Sequence, residues 1–377
     1  MRPPLALVCL VVSLAAVATG CVTGSGQSGQ TGQGSPRAVP SRSSSPSSSP
    51  HVAQVSPSPT PHGLQVLYLD RTTVYLTDGG GARGIARLPS ANVFASQGSP
   101  WIAYLVPGAP SGGDEDFVPR PRLRLWDPRS GGNYPAGPAV DALWNADGTR
   151  LAFLRPSAGY RCDAETCTGG LSLRVLKAPS ADSTPLLPRG PWTLLAWSGD
   201  RALVADRRDP AHTLSVGPGG DTLRLEVPPS QMWDASPDGR RLVIARPGQV
   251  RVVPLTEGKP DGDGAELDLG HGYVLADGAF SHDGSRVAAV ALDPRSPRRS
   301  HLVVFSALRP EPRVLPGSSG AAADVLWSED DSRVVAAAQT RPGRLEALAC
   351  PADGGARCRP LFGWKRGVTL LRASQAP

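Results

Sequence analysis

The stretch Ala235-Ser236-Pro237-Asp238-Gly239-Arg240-Arg241-Leu242-Val243-Ile244-Ala245-Arg246 contains the pattern from which the fold of this chain can be worked out. Its segment from Ser236 to Gly239 has the composition of a type I turn, with proline second and glycine fourth. Gly239 can take a positive φ without steric cost, as a hairpin connection requires. The apolar run from Leu242 to Ala245 has the length of a strand. The stretch therefore predicts a tight turn followed by a buried β-strand.

Degenerate copies of this turn-and-strand unit recur through most of the chain. Each copy has an anchor residue at the end of the strand before the turn, and we place the six anchors at Phe94, Trp144, Trp197, Ala235, Phe280 and Trp327. The mean spacing of about 47 residues is typical of a four-stranded propeller blade. In each unit a third strand with alternating polarity follows, as in the segment from Leu302 to Phe305, and then a short fourth strand.

The two ends of the repetitive region predict one shared blade. Three segments near its start resemble second, third and fourth strands, and one near its end resembles a first strand: Gln65–Leu69, Thr73–Leu76, Ile85–Leu88 and Val368–Arg372. Pairing them would close the ring and remove exposed sheet edges. We therefore predict an all-β fold, a seven-bladed β-propeller with four antiparallel strands per blade. Insertions in two units leave six or eight blades as alternatives.

The N-terminal segment has the pattern of an export signal. Arg2 is the only early charge, and the apolar run from Leu5 to Thr19 is too short to span a bilayer. The following Ala18-Thr19-Gly20-Cys21 resembles the lipobox of bacterial lipoproteins. That resemblance implies cleavage after residue 20 and a diacylglyceryl group on the thiol of Cys21. Ordinary secretion, with cleavage after Ala18, is the alternative.

These features divide the chain into three parts. Residues 1–20 are a predicted lipoprotein signal peptide. Residues 21–62 are a lipidated cysteine and a disordered linker rich in glycine, serine and proline, with too few apolar residues to form a core. Residues 63–377 are the propeller domain. A flexible linker of this length spans about 35 Å, so we expect the domain to stand clear of the outer face of the cytoplasmic membrane, in an extracytoplasmic location.

The cysteine count supports the same location. The chain has six cysteines, of which Cys9 would leave with the signal and Cys21 would carry the lipid. The other four form two local pairs, Cys162 with Cys167 and Cys350 with Cys358. Each pair brackets a short loop, and an oxidising compartment favours disulfides. A zinc site is the alternative, but neither pair has C-x-x-C spacing and no histidine lies close in sequence.

The repeated pattern Trp-Ser-x-Asp-Gly before a short apolar strand resembles the TolB-type propeller repeat, also called PD40 or WD40-like. This resemblance covers most of residues 64 to 373 and implies an architecture but no particular activity, since such propellers serve enzymes, scaffolds and receptors. Lipobox, linker and propeller together are similar to the propeller half of actinobacterial lipoproteins of the LpqB type. The additional N-terminal domain of that family has no counterpart in this sequence.

The aspartates repeated in the turns are the first candidates for chemistry: Asp147, Asp200, Asp238, Asp283 and Asp330. A ring of carboxylates is conceivable. Because each occupies the same turn position, we interpret them as acceptors of backbone N–H groups in their own turns. Four copies depart from the pattern. Gln97 replaces the aspartate in the first, the copy at Trp197 is one residue shorter, Ala235 replaces the tryptophan in another, and Asp331 replaces the turn glycine in the last.

Other segments give weaker signals. The run from Gly79 to Gly84 satisfies G-x-G-x-x-G, but a strand follows it, so we predict a hairpin loop and not a dinucleotide site. The segment from Lys259 to Glu266 lacks the ligands of a calcium loop. The acidic residues 114–116 are a candidate contact loop. Trp192 and Trp364 fall outside the anchor position and are candidates for exposed ligand contacts.

The sequence therefore favours binding over catalysis. Its six histidines form no H-E-x-x-H motif or His/Cys cluster and no G-x-S-x-G occurs, so we expect no catalytic residues, metal or cofactor. The net charge of +6 is mild, and export argues against nucleic acid as a partner. We predict a monomeric, non-catalytic lipoprotein, bound to the membrane by its lipid, whose propeller binds an envelope protein, a wall polymer or a glycan. The alternative is a propeller enzyme of the hydrolase or lyase type with carboxylates in its central channel.

Overall fold

The computed structural model describes residues 64–375, except 79, 91, 97, 109–120, 163–166, 181, 247–248, 270–271, 342–343 and 365–367. The predicted signal peptide, Cys21, the linker and the acidic loop at 114–116 lie outside this part of the chain and stay predictions. Two short 3₁₀ turns, Pro229–Gln231 and Pro297–Arg299, are the helical elements of the described residues. None of the helical structure described there has the length and apolar character of a membrane span.

The described residues contain thirty-one β-strands. The first two groups are β1 (Leu64–Asp70), β2 (Thr73–Thr77) and β3 (Ala82–Arg87), then β4 (Val93–Ala95), β5 (Ile102–Val106), β6 (Arg122–Trp126) and β7 (Asn133–Pro138). The third group is β8 (Asp141–Trp144), β9 (Arg150–Pro156), β10 (Arg161–Cys162), β11 (Cys167–Thr168), β12 (Leu171–Lys177) and β13 (Ser183–Gly190). The fourth is β14 (Trp192–Ser198), β15 (Arg201–Asp206), β16 (Thr213–Val216) and β17 (Thr222–Leu225).

The remaining strands follow the same order. The fifth group is β18 (Met232–Ala235), β19 (Arg241–Arg246), β20 (Gln249–Thr256), β21 (Lys259–Pro260) and β22 (Ala265–Leu267). The sixth is β23 (Val274–Phe280), β24 (Arg286–Leu292), β25 (His301–Ser306) and β26 (Arg313–Val314). The seventh is β27 (Ala321–Trp327), β28 (Arg333–Arg341), β29 (Arg344–Pro351) and β30 (Arg359–Trp364), and β31 (Val368–Gln375) ends the described chain.

These strands form seven blades, as the repeat predicts. Blade 1 has the order β31-β1-β2-β3, and blades 2 to 7 correspond to the second to seventh groups. The pair β10-β11 is an insertion in blade 3, and in blade 5 both β21 and β22 pair with β20. The antiparallel pairing of β31 with β1 runs from Leu64 opposite Gln375 to Asp70 opposite Val368. The seven-bladed fold and the shared closing blade are both confirmed.

The first strand of each blade lies at the centre of the ring. These strands (β4, β8, β14, β18, β23, β27 and β31) each pack against the first strand of the next blade, and β31 packs against β4 to complete the circle. Seven apolar clusters fill the seven interfaces between blades. Burial of apolar surface between neighbouring blades is therefore the main force that holds the ring closed.

The tryptophan anchors also join neighbouring blades. Trp144, Trp197 and Trp327 are buried, and each indole Nε1–H donates a hydrogen bond to a backbone carbonyl of the preceding blade. The acceptors are the oxygens of Phe94 at 3.1 Å, Leu143 at 3.0 Å and Ala279 at 2.9 Å, respectively. The anchor pattern thus combines apolar burial with a satisfied polar group, as buried indoles require.

The anchor assigned to the first copy is wrong by one residue. Ala95, not Phe94, pairs with Ile102 in the second strand of blade 2, and Ile102 corresponds to Leu151, with which Trp144 pairs in the next blade. Phe94 instead supplies the carbonyl that accepts the Trp144 indole hydrogen bond. Aromatic character misled the alignment, because alanine occupies this position in two blades.

Candidate functional site

The repeated turn aspartates act within their own turns. The carboxylates of Asp147, Asp238, Asp283 and Asp330 each accept the backbone N–H two residues later, at 2.8, 3.0, 2.9 and 3.1 Å. This confirms the turn interpretation for these four residues. Asp200 lies in the shorter copy, where Ser198 pairs directly with Arg201 across a two-residue connection.

Hydrogen bonds set the ionisation of the turn carboxylates. Around Asp330, burial disfavours the charged form, but hydrogen bonds from the Ser328 and Ser332 side chains and the Ser332 backbone outweigh it and lower the pKa to about 2. The pKa values of Asp147 and Asp283 are lowered for the same combination of reasons. These carboxylates are therefore charged near neutral pH and already engaged as acceptors.

Asp331 keeps the turn in the copy that lacks glycine. Its φ of 55° is in the left-handed region that glycine occupies in the equivalent turns, a conformation that aspartate tolerates better than most residues. The side chain accepts the backbone N–H groups of His282 at 2.9 Å and Asp283 at 3.1 Å. Its Oδ1 also lies 2.7 Å from Nδ1 of His282. The substitution therefore joins the turns of blades 6 and 7.

A second set of aspartates lies on the innermost strands. Its members are Asp141 on β8, Asp234 on β18, Asp277 on β23 and Asp324 on β27. All four are partly buried. Sequence reasoning missed them because they belong to no chemical motif. One signal was available: three of them stand three residues before the anchor, in segments that are otherwise apolar.

The inner carboxylates connect successive blades. Asp277 accepts the N–H of Gly278 at 2.8 Å through Oδ1 and the N–H of Val325, in the next blade, at 3.2 Å through Oδ2. Asp324 accepts the N–H of Leu370, on β31, at 3.1 Å. Asp324 has a φ of 55° and lies at an irregularity in the pairing of β27. The two side chains thus link blade 6 to blade 7 and blade 7 to blade 1.

Burial raises the pKa values of the inner carboxylates. It is the largest cause in all four cases, and the pKa reaches about 6 for Asp141, about 7 for Asp234 and about 6 for Asp324. Asp277 is also raised, and its charge adds to the shifts of Asp234 and Asp324. This set can therefore exchange protons near neutral pH. Within the described residues, no group of three or more acidic, histidine or cysteine side chains could hold a metal ion.

A cavity of about 460 Å³ lies between blades 1 and 2. Blade 1 contributes Ala86 and Arg87 on β3, and blade 2 contributes Tyr104 on β5, Arg124 and Trp126 on β6, and Asn133 on β7. Residues 124 and 126 share one face of β6 because side chains alternate along a strand. Tyr104 and Trp126 belong to the apolar cluster between blades 1 and 2. The cavity therefore borders the core of this interface.

The polar groups of the cavity form a directed network. Arg124 Nε–H donates to Asn133 Oδ1 at 2.8 Å, and Asn133 Nδ2–H donates to the hydroxyl oxygen of Tyr104 at 2.5 Å. Because the tyrosine oxygen accepts this bond, its own hydrogen can donate to another group. Within the described residues, neither Arg87 nor Arg124 forms an ion pair with a carboxylate. The cavity is therefore rich in donors and positive charge.

The two tryptophans proposed as exposed contacts do not line this cavity. Trp192 is 7% exposed, and its Nε1–H donates to the Pro188 carbonyl at 2.8 Å. Its assignment as an exposed contact is wrong, because the ring packs in the cluster between blades 3 and 4. Trp364 is half-buried, packs against the cluster between blades 7 and 1, and lies 5.2 Å from the ring of Phe362.

The cysteine pairs and the glycine-rich run lie in strand connections. A disulfide joins Cys350, on β29, to Cys358, just before β30. Cys162 and Cys167 are opposite each other in the β10-β11 pair, but their side chains lie outside the described residues, so their disulfide stays a prediction. The glycine-rich run of residues 79–84 extends from the β2-β3 connection into β3, with no helix after it.

Comparisons with known proteins show the fold. No family model matches the chain, and no curated protein matches its sequence. A prolyl endopeptidase structure is 15% identical with a TM-score of 0.56 and covers 84% of this chain and 50% of that one. A putative 6-phosphogluconolactonase from Bacteroides fragilis NCTC 9343 is 13% identical with a TM-score of 0.50 and covers 85% of this chain and 100% of that one.

TolB from Acinetobacter baumannii is 15% identical with a TM-score of 0.45 and covers 84% of this chain and 67% of that one. This chain spans about half the length of the prolyl endopeptidase that it matches. At these identities the two structures with TM-scores of 0.50 or above share the β-propeller fold with this chain, and fold alone assigns no activity.

Proposed function

We propose that this protein is a lipid-anchored, extracytoplasmic β-propeller that acts as a non-catalytic binding or scaffolding platform. One observation carries the proposal: the inner carboxylates of Asp277 and Asp324 are used to connect blades through backbone N–H groups. Carboxylates that accept such bonds stabilise a rigid ring and are less available to a substrate. A rigid ring in turn fixes the loops and blade edges that a partner would contact.

The N-terminal sequence supports the location. The lipobox ending at Cys21 would place a lipid at the start of the mature chain, and the linker of residues 21–62 would separate the domain from the membrane. An envelope protein, a wall polymer or a glycan is the class of partner accessible from that position. We propose that the domain is a monomer and that it does not bind nucleic acid.

The lipid anchor is tested by Cys21→Ser in cells that process bacterial lipoproteins. We expect the wild-type protein to incorporate labelled palmitate and to sediment with membranes, and the variant to lose both properties. Cys9→Ser is the matched control, because Cys9 lies inside the predicted signal. Membrane retention and labelling of the Cys21→Ser variant at wild-type levels would refute the anchor.

A propeller enzyme of the hydrolase or lyase type is the second candidate, and the raised pKa values of the inner aspartates favour it. A carboxyl group with a pKa of about 7, as at Asp234, can act as a general acid near neutral pH. The discriminating experiment incubates the purified protein with fluorogenic glycoside, ester and peptide substrates. Turnover that disappears in Asp234→Asn, while the folded state persists, would replace the binding proposal with this one.

A further inference from the structure

An arginine occupies the same position on the third strand of three blades. Arg124, Arg174 and Arg251 stand opposite Tyr104, Phe153 and Ile244, respectively, in the neighbouring second strands. Each of these second-strand residues lies two positions after the residue that pairs with the anchor: Ile102, Leu151 and Leu242. The three arginines therefore have equivalent places in their blades, and their partners can be compared directly.

In each of the three blades the arginine contacts a residue on the fourth strand of its own blade, and the number and chemistry of these contacts differ. In blade 3, Arg174 donates from Nε to the hydroxyl of Ser183 at 2.8 Å and from Nη2 to the carbonyl oxygen of the same residue. In blade 5, Arg251 Nη2 lies 3.8 Å from the carboxylate of Glu266. Hydrogen bonds thus satisfy two guanidinium nitrogens of Arg174, and Arg251 has a carboxylate nearby as a counter-charge.

Blade 2 differs because its arginine borders a cavity. Within the described part of the chain, Arg124 contacts the neutral amide of Asn133 through Nε only, and its two terminal nitrogens have no partner there and form a planar fork. Arg87, which is exposed, reaches the same cavity from blade 1. Two cations thus border one cavity without a carboxylate partner among the described residues. Arginine forks of this kind bind carboxylate and phosphate groups well.

The size and walls of the cavity limit the ligand further. Its volume of about 460 Å³ lies in the range of small-molecule sites, about 300–1,000 Å³, and exceeds what an isolated oxyanion needs. Pro89 and Val106 contribute apolar surface beside the polar groups, and the buried Leu88 and Trp126 lie behind it. A sugar ring offers a matching combination of hydroxyl edges and apolar C–H faces.

We propose that the cavity between blades 1 and 2 binds an anionic sugar unit, a hexose-sized ring bearing a carboxylate or a phosphate. The guanidinium groups of Arg124 and Arg87 bind the anion, and the apolar surface of Pro89 and Val106 contacts the ring. The buried Tyr104 hydroxyl accepts from Asn133, which in turn holds Arg124 in place. This inference rests on the proposed binding role and specifies the chemical class of one ligand.

Calorimetric titration of the full chain carrying Cys21→Ser tests the site with four probes: glucuronate, glucose 1-phosphate, glucose and inorganic phosphate. We expect at least one sugar anion to bind at least about 10-fold more tightly than glucose and than inorganic phosphate, with affinity that falls as salt rises. Preference for glucuronate identifies a uronic acid as the source of the anion, and preference for glucose 1-phosphate identifies a phosphate ester.

Substitutions locate the binding. Arg124→Gln and Arg87→Gln should each weaken the preferred sugar anion at least about 10-fold, as loss of a charge-assisted contact implies. Arg174→Gln is the matched control, since this arginine holds the same strand position in blade 3 but is engaged by Ser183; it should leave the affinity within twofold. Arg87 is exposed, so its variant tests the site even where Arg124→Gln lowers the melting temperature.

Four results would overturn the inference. They are absence of sugar-anion binding, glucose or inorganic phosphate binding as tightly as the sugar anions, affinity that survives both cavity substitutions, and binding that emerges only after the acidic residues 114–116 are neutralised. The last would assign the cavity to the chain's own acidic segment. Capture of an envelope partner by a protein that binds no sugar anion would leave the platform proposal standing. Turnover of a bound probe would support the cavity as the binding site and contradict the non-catalytic role.

Discussion

Two sets of aspartates in this ring have the same side chain and pKa values shifted in opposite directions. The turn aspartates lie between the first and second strands of their blades, and the pKa values of Asp147, Asp283 and Asp330 are lowered. The inner aspartates lie on the first strands, and the pKa values of Asp141, Asp234, Asp277 and Asp324 are raised.

The difference comes from where each carboxylate finds its donors. A turn aspartate accepts several hydrogen bonds from residues within a few positions and keeps access to solvent, so hydrogen bonding outweighs burial. Asp277 is largely buried and accepts bonds from its own strand and the next blade, and burial outweighs this hydrogen bonding. The first set therefore shapes individual turns, and in the second set Asp277 and Asp324 connect neighbouring blades.

Removal of residues 368–377 should destabilise the fold more than Asp277→Asn or a change of pH. It deletes β31 and with it the Leu370 N–H that Asp324 accepts. The deletion exposes the edge of β1 and opens the apolar clusters on both sides of blade 1. We expect loss of the cooperative thermal transition, measured by circular dichroism. Removal of residues 376–377 alone is the control. A deletion variant that still melts cooperatively near the wild-type temperature would contradict closure by β31.

Asp277→Asn should have an intermediate effect. Both oxygens of Asp277 accept backbone N–H groups, and an amide can replace only one of them, which leaves an N–H facing an NH₂ group. We expect a loss of about 1–3 kcal/mol in unfolding free energy, measured by urea denaturation. Asp283→Asn is the matched control in the same blade, where we expect a change within about 0.5 kcal/mol because asparagine also suits turns. Equal losses would remove the distinction between the two sets.

The pH dependence of stability should report on the turn aspartates and the inner aspartates together. The expected change in stability is smaller than for the deletion or for Asp277→Asn. The inner carboxyls have raised pKa values, so the folded state gains protons that the unfolded state lacks as pH falls through about 7 to 6. Stability should therefore rise between pH 8 and 5. The turn carboxylates have lowered pKa values, so their contribution is present above about pH 4 and is lost as pH falls toward 2.

We expect a melting temperature that rises by a few degrees from pH 8 to 5 and falls below about pH 4. The double variant Asp234→Asn with Asp324→Asn should flatten the rise and leave the acid fall unchanged. Calorimetric scans across this range provide the measurement. A wild-type profile that is flat or falling from pH 8 to 5 would show that the inner aspartates keep ordinary pKa values.

Sequence periodicity predicted the fold because one local unit is repeated in register. The turn from Ser236 to Gly239 and the strand after it are determined by neighbouring residues, and so are the four confirmed turn aspartates. The shared blade was predictable because its missing strand appears at the other end of the chain. Local chemistry of this kind can be recognised in a single sequence.

The inner aspartates and the cavity depend on how blades meet, which local sequence does not reveal. Asp277 finds its second donor in Val325, in the next blade. Arg124 stands in an alternating strand that resembles those containing Arg174 and Arg251, and only the facing strand of blade 1 distinguishes it. Trp192 was misjudged for the same reason, because its burial comes from a neighbouring blade.

The pairing of Leu64 with Gln375 has a consequence for how this molecule can be rebuilt. Since the described chain enters and leaves at adjacent points of one sheet, its backbone is a nearly continuous loop with a single nick. A short glycine-serine bridge could seal that nick, and a new one could be opened in an exposed turn such as Gly219-Gly220. The tether to an anchoring surface could then be attached to any chosen blade, which would turn the cavity toward or away from that surface without altering its lining.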